Sequence, residues 1–124
     1  EELLAVCVHI LANLPEKQRF KYIVLTEDKG AIGLIGKARK NVSLYGKPDA
    51  FSAMTTNRLA QRLYEEKLID QKEQVEEILS AGASGMMVRI FASEKYDLEP
   101  KEKTMTCREL AEKIAASDAI YINF

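Results

Sequence analysis

The sequence lacks the residues from which disulfide-rich, zinc-binding and membrane-spanning proteins are built. In 124 residues it has two cysteines, one histidine and no tryptophan. Cys7 and Cys107 are too far apart in the chain for a paired zinc motif, and two cysteines do not make a disulfide framework. No apolar run reaches the roughly 18 residues that a membrane-spanning helix requires. We therefore expect reduced, packed thiols, a cytoplasmic location and no membrane partner.

An excess of charge of one sign is also missing. Eighteen Lys and Arg residues against nineteen Asp and Glu residues leave a net charge of −1, which excludes a broadly basic surface for nucleic acid. The composition, 47% hydrophobic and 30% charged, is that of a globular protein. Some basic residues do cluster, and such a run more often forms a solvated helix face than a contact with a phosphate backbone. They are Lys37, Arg39, Lys40 and Lys47.

Strand-like and helix-like segments alternate along the chain. The uninterrupted apolar run Tyr22–Leu25 predicts a central strand, and the alternating residues 119–124 predict a closing strand. The predicted order is helix, strand, helix, strand, two paired helices, strand, helix and strand, within residues 1–11, 20–26, 31–40, 42–45, 56–64, 70–82, 86–92, 106–115 and 119–124.

This alternation predicts an α/β fold, a three-layer sandwich around a mostly parallel sheet, in one domain over residues 1–124. Glu1 lies inside a helical run without a capping residue before it. Helices in natural proteins usually begin with a capping signal. We therefore expect the domain to be truncated at its N-terminus and the sequence to be a fragment of a longer chain.

Particular residues mark where helices begin and end. The predicted N-caps are Thr55 or Thr56, Asp70 in a capping box with Glu73, and Thr106 in a capping box with Glu109. Gly82 is the predicted C′ residue of the helix that Asp70 begins. The charged residues 93–104, around Pro100, predict a long loop.

Several nucleotide-binding and catalytic motifs are absent from the sequence: there is no Walker A loop, no dinucleotide-binding glycine fingerprint, no Cys-x-x-Cys and no nucleophile elbow. Gly30, Gly33 and Gly36 recur every three residues after a strand, which fits close helix packing better than a phosphate cradle. His9 lies in an apolar helix and is expected to be structural. Cys107 lies in the first turn of a helix, where the helix dipole favours a thiolate.

Acidic residues follow the first strand and point to a metal site. Glu27 and Asp28 come directly after Tyr22–Leu25, and ligands of open α/β sheets bind beyond the carboxyl ends of strands. Mg²⁺ or Mn²⁺ needs only one or two carboxylates, although an acidic N-cap of the following helix would explain Asp28 without a metal. Glu1 and Glu2 begin the helix before the same strand. We expect them at the same end of the sheet, an arrangement typical of metal-dependent phosphodiesterases.

At these residues the sequence resembles the PIN-domain nucleases. Many members have a Gly-Glu-x-Glu segment that opens an apolar helix, then a strand that ends in Thr-x-Asp, then a helix. Residues 1–5 resemble the end of the first element, and Leu25-Thr26-Glu27-Asp28-Lys29-Gly30-Ala31 is similar to the second. Residues 58–69 with 75–82 resemble a helix pair of one PIN-like group. The resemblance covers residues 1–90, and residues 91–124 match nothing.

The resemblance implies Mg²⁺- or Mn²⁺-dependent cleavage of RNA, often by the toxin of a toxin–antitoxin pair. Asp28 would be a catalytic metal ligand, Glu2 or Glu1 a second one, and Lys29 a contact to the substrate phosphate. The aspartate on the first strand of the family has no counterpart here, and Ala31 stands where many members have a second aspartate. A site that is incomplete in this way also suits a domain that binds without cleaving.

Two other functions remain open at the level of sequence. One is a non-catalytic α/β module that self-associates, or docks a protein partner, through its strand edge and helix pair. The other is a small sulfur-relay (DsrE-like) domain with Cys107 as its reactive group. A metal-ligand cluster at Asp28, a concentration-dependent mass and an alkylatable Cys107 would distinguish the three.

Overall fold

The computed structural model of the protein describes residues 22–44, 51–83 and 85–124. Within them the chain is a mixed α/β protein, as predicted. It divides into two compact units, one within Glu1–Met54 and one over Thr55–Phe124. The predicted first helix and the residues Glu1, Glu2, Cys7, His9 and Lys47 lie outside the described residues.

The first unit contains a strand–helix–strand motif. Strand β1 (Tyr22–Leu25), helix α1 (Lys29–Leu44) and strand β2 (Phe51–Met54) follow one another, and β1 pairs in parallel with β2. Parallel neighbours need a crossover connection, and α1 supplies it. Among the described residues this sheet has two strands. The predicted central position of β1 is therefore not reproduced there, and its Ile23 and Leu25 are about half exposed.

The strand predicted at residues 42–45 is wrong for its described part. Residues 42–44 continue α1 to its last residue, Leu44. Strand propensity is a weak preference over so few residues. The residues that break a helix, Gly46 and Pro48, come only after this segment, so nothing in the sequence ends the helix earlier.

The second unit has three helices and three strands. In chain order they are α2 (Thr56–Glu65), α3 (Lys72–Gly82), β3 (Met87–Glu94), β4 (Lys101–Thr106), α4 (Cys107–Ala115) and β5 (Ile120–Ile122). The strand order in the sheet is β4-β3-β5, and both pairs are antiparallel. A mostly parallel sheet was expected, and this unit contradicts it because β3 and β4 form a hairpin. The three-layer sandwich stays a prediction.

Half of the loop predicted over residues 93–104 is strand. β3 runs to Glu94 and β4 begins at Lys101, which leaves a turn of six residues, 95–100. β4 lies at the edge of its sheet, and charged side chains are common on edge strands because they discourage pairing with other chains. Its Lys-Glu-Lys beginning therefore resembled a loop although Met105 is buried in the core.

The core of the second unit lies between the helices and one face of the sheet. β3 alternates between buried and exposed residues, as a strand covered on one side should. The buried side chains are Ala60, Val75, Leu79, Val88, Ile90, Ala92, Met105, Cys107, Leu110, Ala111, Ile114, Ile120 and Ile122. Gly82 is the last residue of α3 rather than its C′ residue. A Cβ atom there would lie 2.9 Å from Cβ of Thr56, so glycine lets α2 and α3 approach closely.

Two of the three predicted helix starts are confirmed. Thr55 accepts a hydrogen bond from the Arg58 amide at 3.3 Å, and Thr106 forms the predicted reciprocal capping box with Glu109. The box predicted from Asp70 to Glu73 is wrong. It forms one residue later, between Gln71 and Gln74, because a glutamine side chain reaches the same backbone groups.

A buried glutamine closes one edge of the sheet. Gln61 is 3% exposed, and its Nε2 donates to the carbonyl of Ile120 at 2.8 Å while its Oε1 accepts from the amide of Ile122 at 3.2 Å. Arg58 donates to the same Oε1 at 2.7 Å. The side chain therefore satisfies the backbone groups of β5 that a further strand would otherwise bind.

Replacing Gln61 by Leu should destabilise the protein by about 2 kcal/mol or more, because it leaves a buried amide and a buried carbonyl without partners. Urea unfolding measures this loss. The control is Arg62→Ala, which removes an exposed ion pair with Glu66 and should cost no more than about 0.5 kcal/mol. Equal stabilities of the two variants would contradict the role of Gln61.

Ion pairs join the end of β3 to α4 and the β3–β4 turn to β4. Nζ of Lys103 lies 2.8 Å from Oδ2 of Asp97, and Nζ of Lys113 lies 2.6 Å from Oε1 of Glu94. The hydrogen bond from Lys103, with another from the Glu94 amide, lowers the pKa of Asp97 from 3.8 to about 2. The pKa of Glu94 is lowered mainly by the hydrogen bond from Lys113. Both carboxylates therefore stay ionised and keep their ion pairs with the two lysines.

We expect acid to weaken the protein partly through Asp97. Because its pKa is lowered on folding, its contribution is complete above pH 3.8 and is lost as the pH falls towards 2. Asp97→Asn should lower the melting temperature at pH 7 and reduce the further loss between pH 4 and pH 2. Glu99→Gln, in the same turn, is the control. Parallel pH profiles of Asp97→Asn and the wild type would count against this explanation.

Candidate functional site

The turn between β1 and α1 is organised around Asp28. Oδ1 of Asp28 accepts a hydrogen bond from the Gly30 amide at 2.9 Å, and the amide of Asp28 donates to the hydroxyl of Thr26 at 3.1 Å. The carbonyl of Asp28 accepts the first helical hydrogen bond, from Ile32. The structure therefore supports the alternative interpretation of Asp28 as the N-cap of α1. A Cβ at position 30 would lie 3.2 Å from Oδ1, which makes glycine the best fit there.

The same turn places the predicted site residues on the surface. Glu27, Asp28 and Lys29 are all exposed, beyond the carboxyl end of β1. The carboxylate oxygens of Glu27 and Asp28 are of the type that Mg²⁺ or Mn²⁺ binds. The described residues contain no group of three or more His, Cys, Asp or Glu side chains suited to a metal ion. Whether Glu2 or Glu1 joins Asp28 stays a prediction, because both lie outside that part of the chain.

The described residues do not explain the triple-glycine pattern. None of their atoms lies within 4 Å of the position that a Cβ would take at Gly33 or at Gly36. Close helix packing at these two residues stays a prediction. Of the four clustered basic residues, the side chain of Lys37 is exposed, as a solvated helix face requires, and those of Arg39, Lys40 and Lys47 are outside the described set.

Cys107 lies at the start of α4, as predicted, but its side chain points into the core. It is 4% exposed and packs in the main apolar cluster. Its amide donates to the carbonyl of Met86 at 2.9 Å. A buried thiol cannot meet a sulfur donor without local unfolding, so the geometry gives no support to a sulfur-relay function.

The sheet of the second unit presents an apolar surface that the sequence analysis missed. We call it the outer sheet face, and it consists of Met87, Phe91, Tyr121 and Phe124, which are between 41% and 55% exposed. The rings of Phe91 and Phe124 stack at 6.0 Å, and the guanidinium of Arg58 lies 5.1 Å from the ring centre of Tyr121. Exposed apolar residues grouped in this way mark interaction surfaces.

The charges beside the outer sheet face are paired internally. Arg89 lies 3.5 Å from Glu102, and Arg58 lies 3.6 Å from Glu65. Both pairs join charges of opposite sign, so the arginines do not make the face strongly basic. A face of this kind suits protein better than a phosphate backbone. The sequence signal for the outer sheet face was the even spacing of Met87 and Phe91, which places both residues on the same side of β3.

A cavity of 720 Å³ lies beside α2 and β5, and we call it the α2–β5 cleft. Residues from two turns and from the ends of α2, α4 and β5 line it. Those that matter for its chemistry are Tyr64, Lys67, Asp70, Ile114, Asp118 and Ile120. Sequence reasoning could not find this cleft, because its walls come from segments far apart in the chain.

Comparison with protein-family models, with curated proteins and with solved structures gives no match for this chain. Among the helices that the structure describes, none has both the length and the apolar character needed to cross a membrane.

The capping role of Asp28 can be tested by substitution. Asp28→Ala should destabilise α1 by about 1 kcal/mol because the Gly30 amide loses its acceptor. Asp28→Asn retains an oxygen at the same place and should cost much less. Thermal unfolding followed by circular dichroism measures both. Equal losses in the two variants would show that the charge of Asp28, rather than the cap, stabilises the helix.

Proposed function

We propose that the protein is a PIN-like ribonuclease domain that depends on Mg²⁺ or Mn²⁺, with Asp28 as a metal ligand. The observation that carries the proposal is the strand–helix–parallel strand motif, because it puts Asp28 beyond the carboxyl end of a parallel strand pair. The resemblance requires a strand, a Thr-x-Asp turn and a helix, followed later by a helix pair. β1, Thr26–Asp28, α1, and α2 with α3 have this order.

The residues present fit such a metal only in part. Asp28 offers a carboxylate at the surface, and Glu1 or Glu2 would supply the second. When bound, the ion would offset phosphate charge and activate a water molecule. The Gly30 amide orients the Asp28 carboxylate, and the Thr26 hydroxyl accepts from the Asp28 backbone amide. The N-terminus of α1, with Lys29, favours an anionic RNA phosphate beside them. A three-layer sandwich and a toxin–antitoxin partner belong to the same proposal.

The first test is the melting temperature in EDTA and then in millimolar Mn²⁺. A ligand at about 100 times its Kd stabilises by about 2.7 kcal/mol, which is several degrees for a domain of this size. We expect this rise in the wild type and its loss in Asp28→Asn, which keeps the cap but not the charge.

Glu99→Gln is the matched control, since it removes an exposed carboxylate from the other unit and should leave the Mn²⁺ response unchanged. The absence of any rise in the wild type, or an equal rise in Asp28→Asn, would remove Asp28 as a ligand. RNA cleavage assays then follow only for a protein that shows the response.

The outer sheet face favours a second function, a non-catalytic module that pairs with a second copy of this chain. Its aromatic and methionine side chains cluster on one side of the sheet, opposite the helices. Two such faces meet without repulsion between like charges, because Arg89 and Arg58 each have an acidic partner on their own chain. Association through a strand edge and the helix pair stays a prediction, and the sheet face is a further surface for it.

If the face pairs with itself, the mass of the protein should rise with concentration in analytical ultracentrifugation. Replacing Phe91 and Tyr121 together by Ser should give a monomer at all concentrations, because the apolar contact area is removed. Tyr96→Ser is the control, since Tyr96 is an exposed aromatic residue in the β3–β4 turn. A wild-type protein that stays monomeric at high concentration would exclude this function.

A further inference from the structure

We propose that the α2–β5 cleft binds a small zwitterion with an apolar side chain, an α-amino acid or a short peptide of such residues. The proposal goes beyond the ribonuclease function and does not depend on it, because the cleft belongs wholly to the second unit. Its volume of 720 Å³ falls within the roughly 300–1,000 Å³ of small-molecule sites.

Two apolar core side chains line part of the cleft, together with the buried side chain of Gln61. Ile114 and Ile120 are buried core residues, and they reach the cleft from α4 and from β5. Tyr64 and Ile69 are partly buried and pack against the same core. A hydrocarbon side chain that enters the cleft would therefore leave water and contact side chains of its own kind.

The rim of the cleft carries charges of both signs. Glu65, Asp70 and Asp118 supply carboxylates, and Lys67 supplies an ammonium group. The Glu65 carboxylate lies 3.6 Å from Arg58. Lys67, Asp70 and Asp118 are exposed, and no ion pair joins these three to another described side chain. A ligand with an ammonium and a carboxylate group would find a partner for each, whereas a plain hydrocarbon would leave this rim unused.

Two of these charged residues lie on backbone with a positive φ, which is unfavourable for residues other than glycine. Lys67, Ser117 and Asp118 are the non-glycine residues with positive φ in the described chain, at 60°, 42° and 58°, and all three line the cleft. Lys67 follows the C-terminal end of α2 in a left-handed conformation. Its amide donates to the carbonyl of Tyr64, and the Leu68 amide donates to the carbonyl of Leu63. Glycine is the usual residue at such a position. Here the residue is a lysine that lines the cleft.

Three probes separate the two charges of the ligand: L-leucine, L-leucinamide and 4-methylpentanoate. They share one hydrocarbon chain, but leucinamide lacks the carboxylate and 4-methylpentanoate lacks the ammonium group. Calorimetric titration of the full chain should show binding of leucine to one site. The affinity of each of the other two probes should be at least about tenfold lower, as expected when one charged hydrogen bond is lost.

Asp118→Asn and Lys67→Gly test the two sides of the rim. Asn tolerates a positive φ, so Asp118→Asn should fold normally and bind leucine about tenfold more weakly. Lys67→Gly relieves the left-handed strain, so it should melt at a higher temperature and yet bind leucine more weakly. Loss of fold cannot produce a variant that is more stable but binds less. Glu99→Gln and Lys95→Gln are controls away from the cleft.

Leucyl-leucine distinguishes the two sources of the ligand. Tighter binding of the dipeptide than of leucine would assign the cleft to a peptide, and tighter binding of leucine would assign it to a free amino acid. The proposal is overturned if neither binds at millimolar concentration, or if Asp118→Asn and Lys67→Gly bind leucine as well as the wild type. Because none of these residues is near Asp28 in the chain, Mn²⁺ stabilisation that persists in both variants would leave the ribonuclease proposal untouched.

Discussion

The second unit depends on the side-chain amide of Gln61, which forms hydrogen bonds with β5 where a neighbouring strand would otherwise bind. β5 has three residues and pairs with β3 on one side. A strand so short is held weakly by its ladder alone, since a two-stranded pairing of this length is marginal in water. Gln61 binds its other side through two backbone groups, and Arg58 fixes that amide in turn. The helix layer and the sheet are thereby joined by hydrogen bonds as well as by apolar packing, and the wall of the α2–β5 cleft is built on this junction.

Local signals predicted much of the fold. Thr55 and the Thr106–Glu109 box cap their helices as expected because a capping residue acts within one turn. The apolar run Tyr22–Leu25 is a strand, and its parallel partner follows after a helix. β4 was misassigned because long-range pairing outweighed local preference there. β4 is a strand because β3 offers it a partner, although its sequence is charged like a loop.

The candidate sites were predictable to different degrees. Asp28 was found because it stands next to its strand in the sequence, and its capping bond is equally local. The α2–β5 cleft was not, since Asp70 and Asp118 are separated by α3, a hairpin and α4 before β5 closes the unit. The buried amide that shapes its wall bonds to a carbonyl 59 positions away. No spacing rule connects such residues, and only the folded core does.

The hydrogen bonds between Gln61 and β5 also determine at which edge this sheet can add a strand. A sheet with two open edges can add strands at both and so extend into a fibre. Here the backbone groups on the outer side of β5 are already bonded. In the part of the chain that the structure describes, β4 is the other edge of this sheet. If two copies paired through β4, each β4 would occupy the free edge of the other. Polymerisation by strand addition in this unit would therefore end at the first step, as a pair.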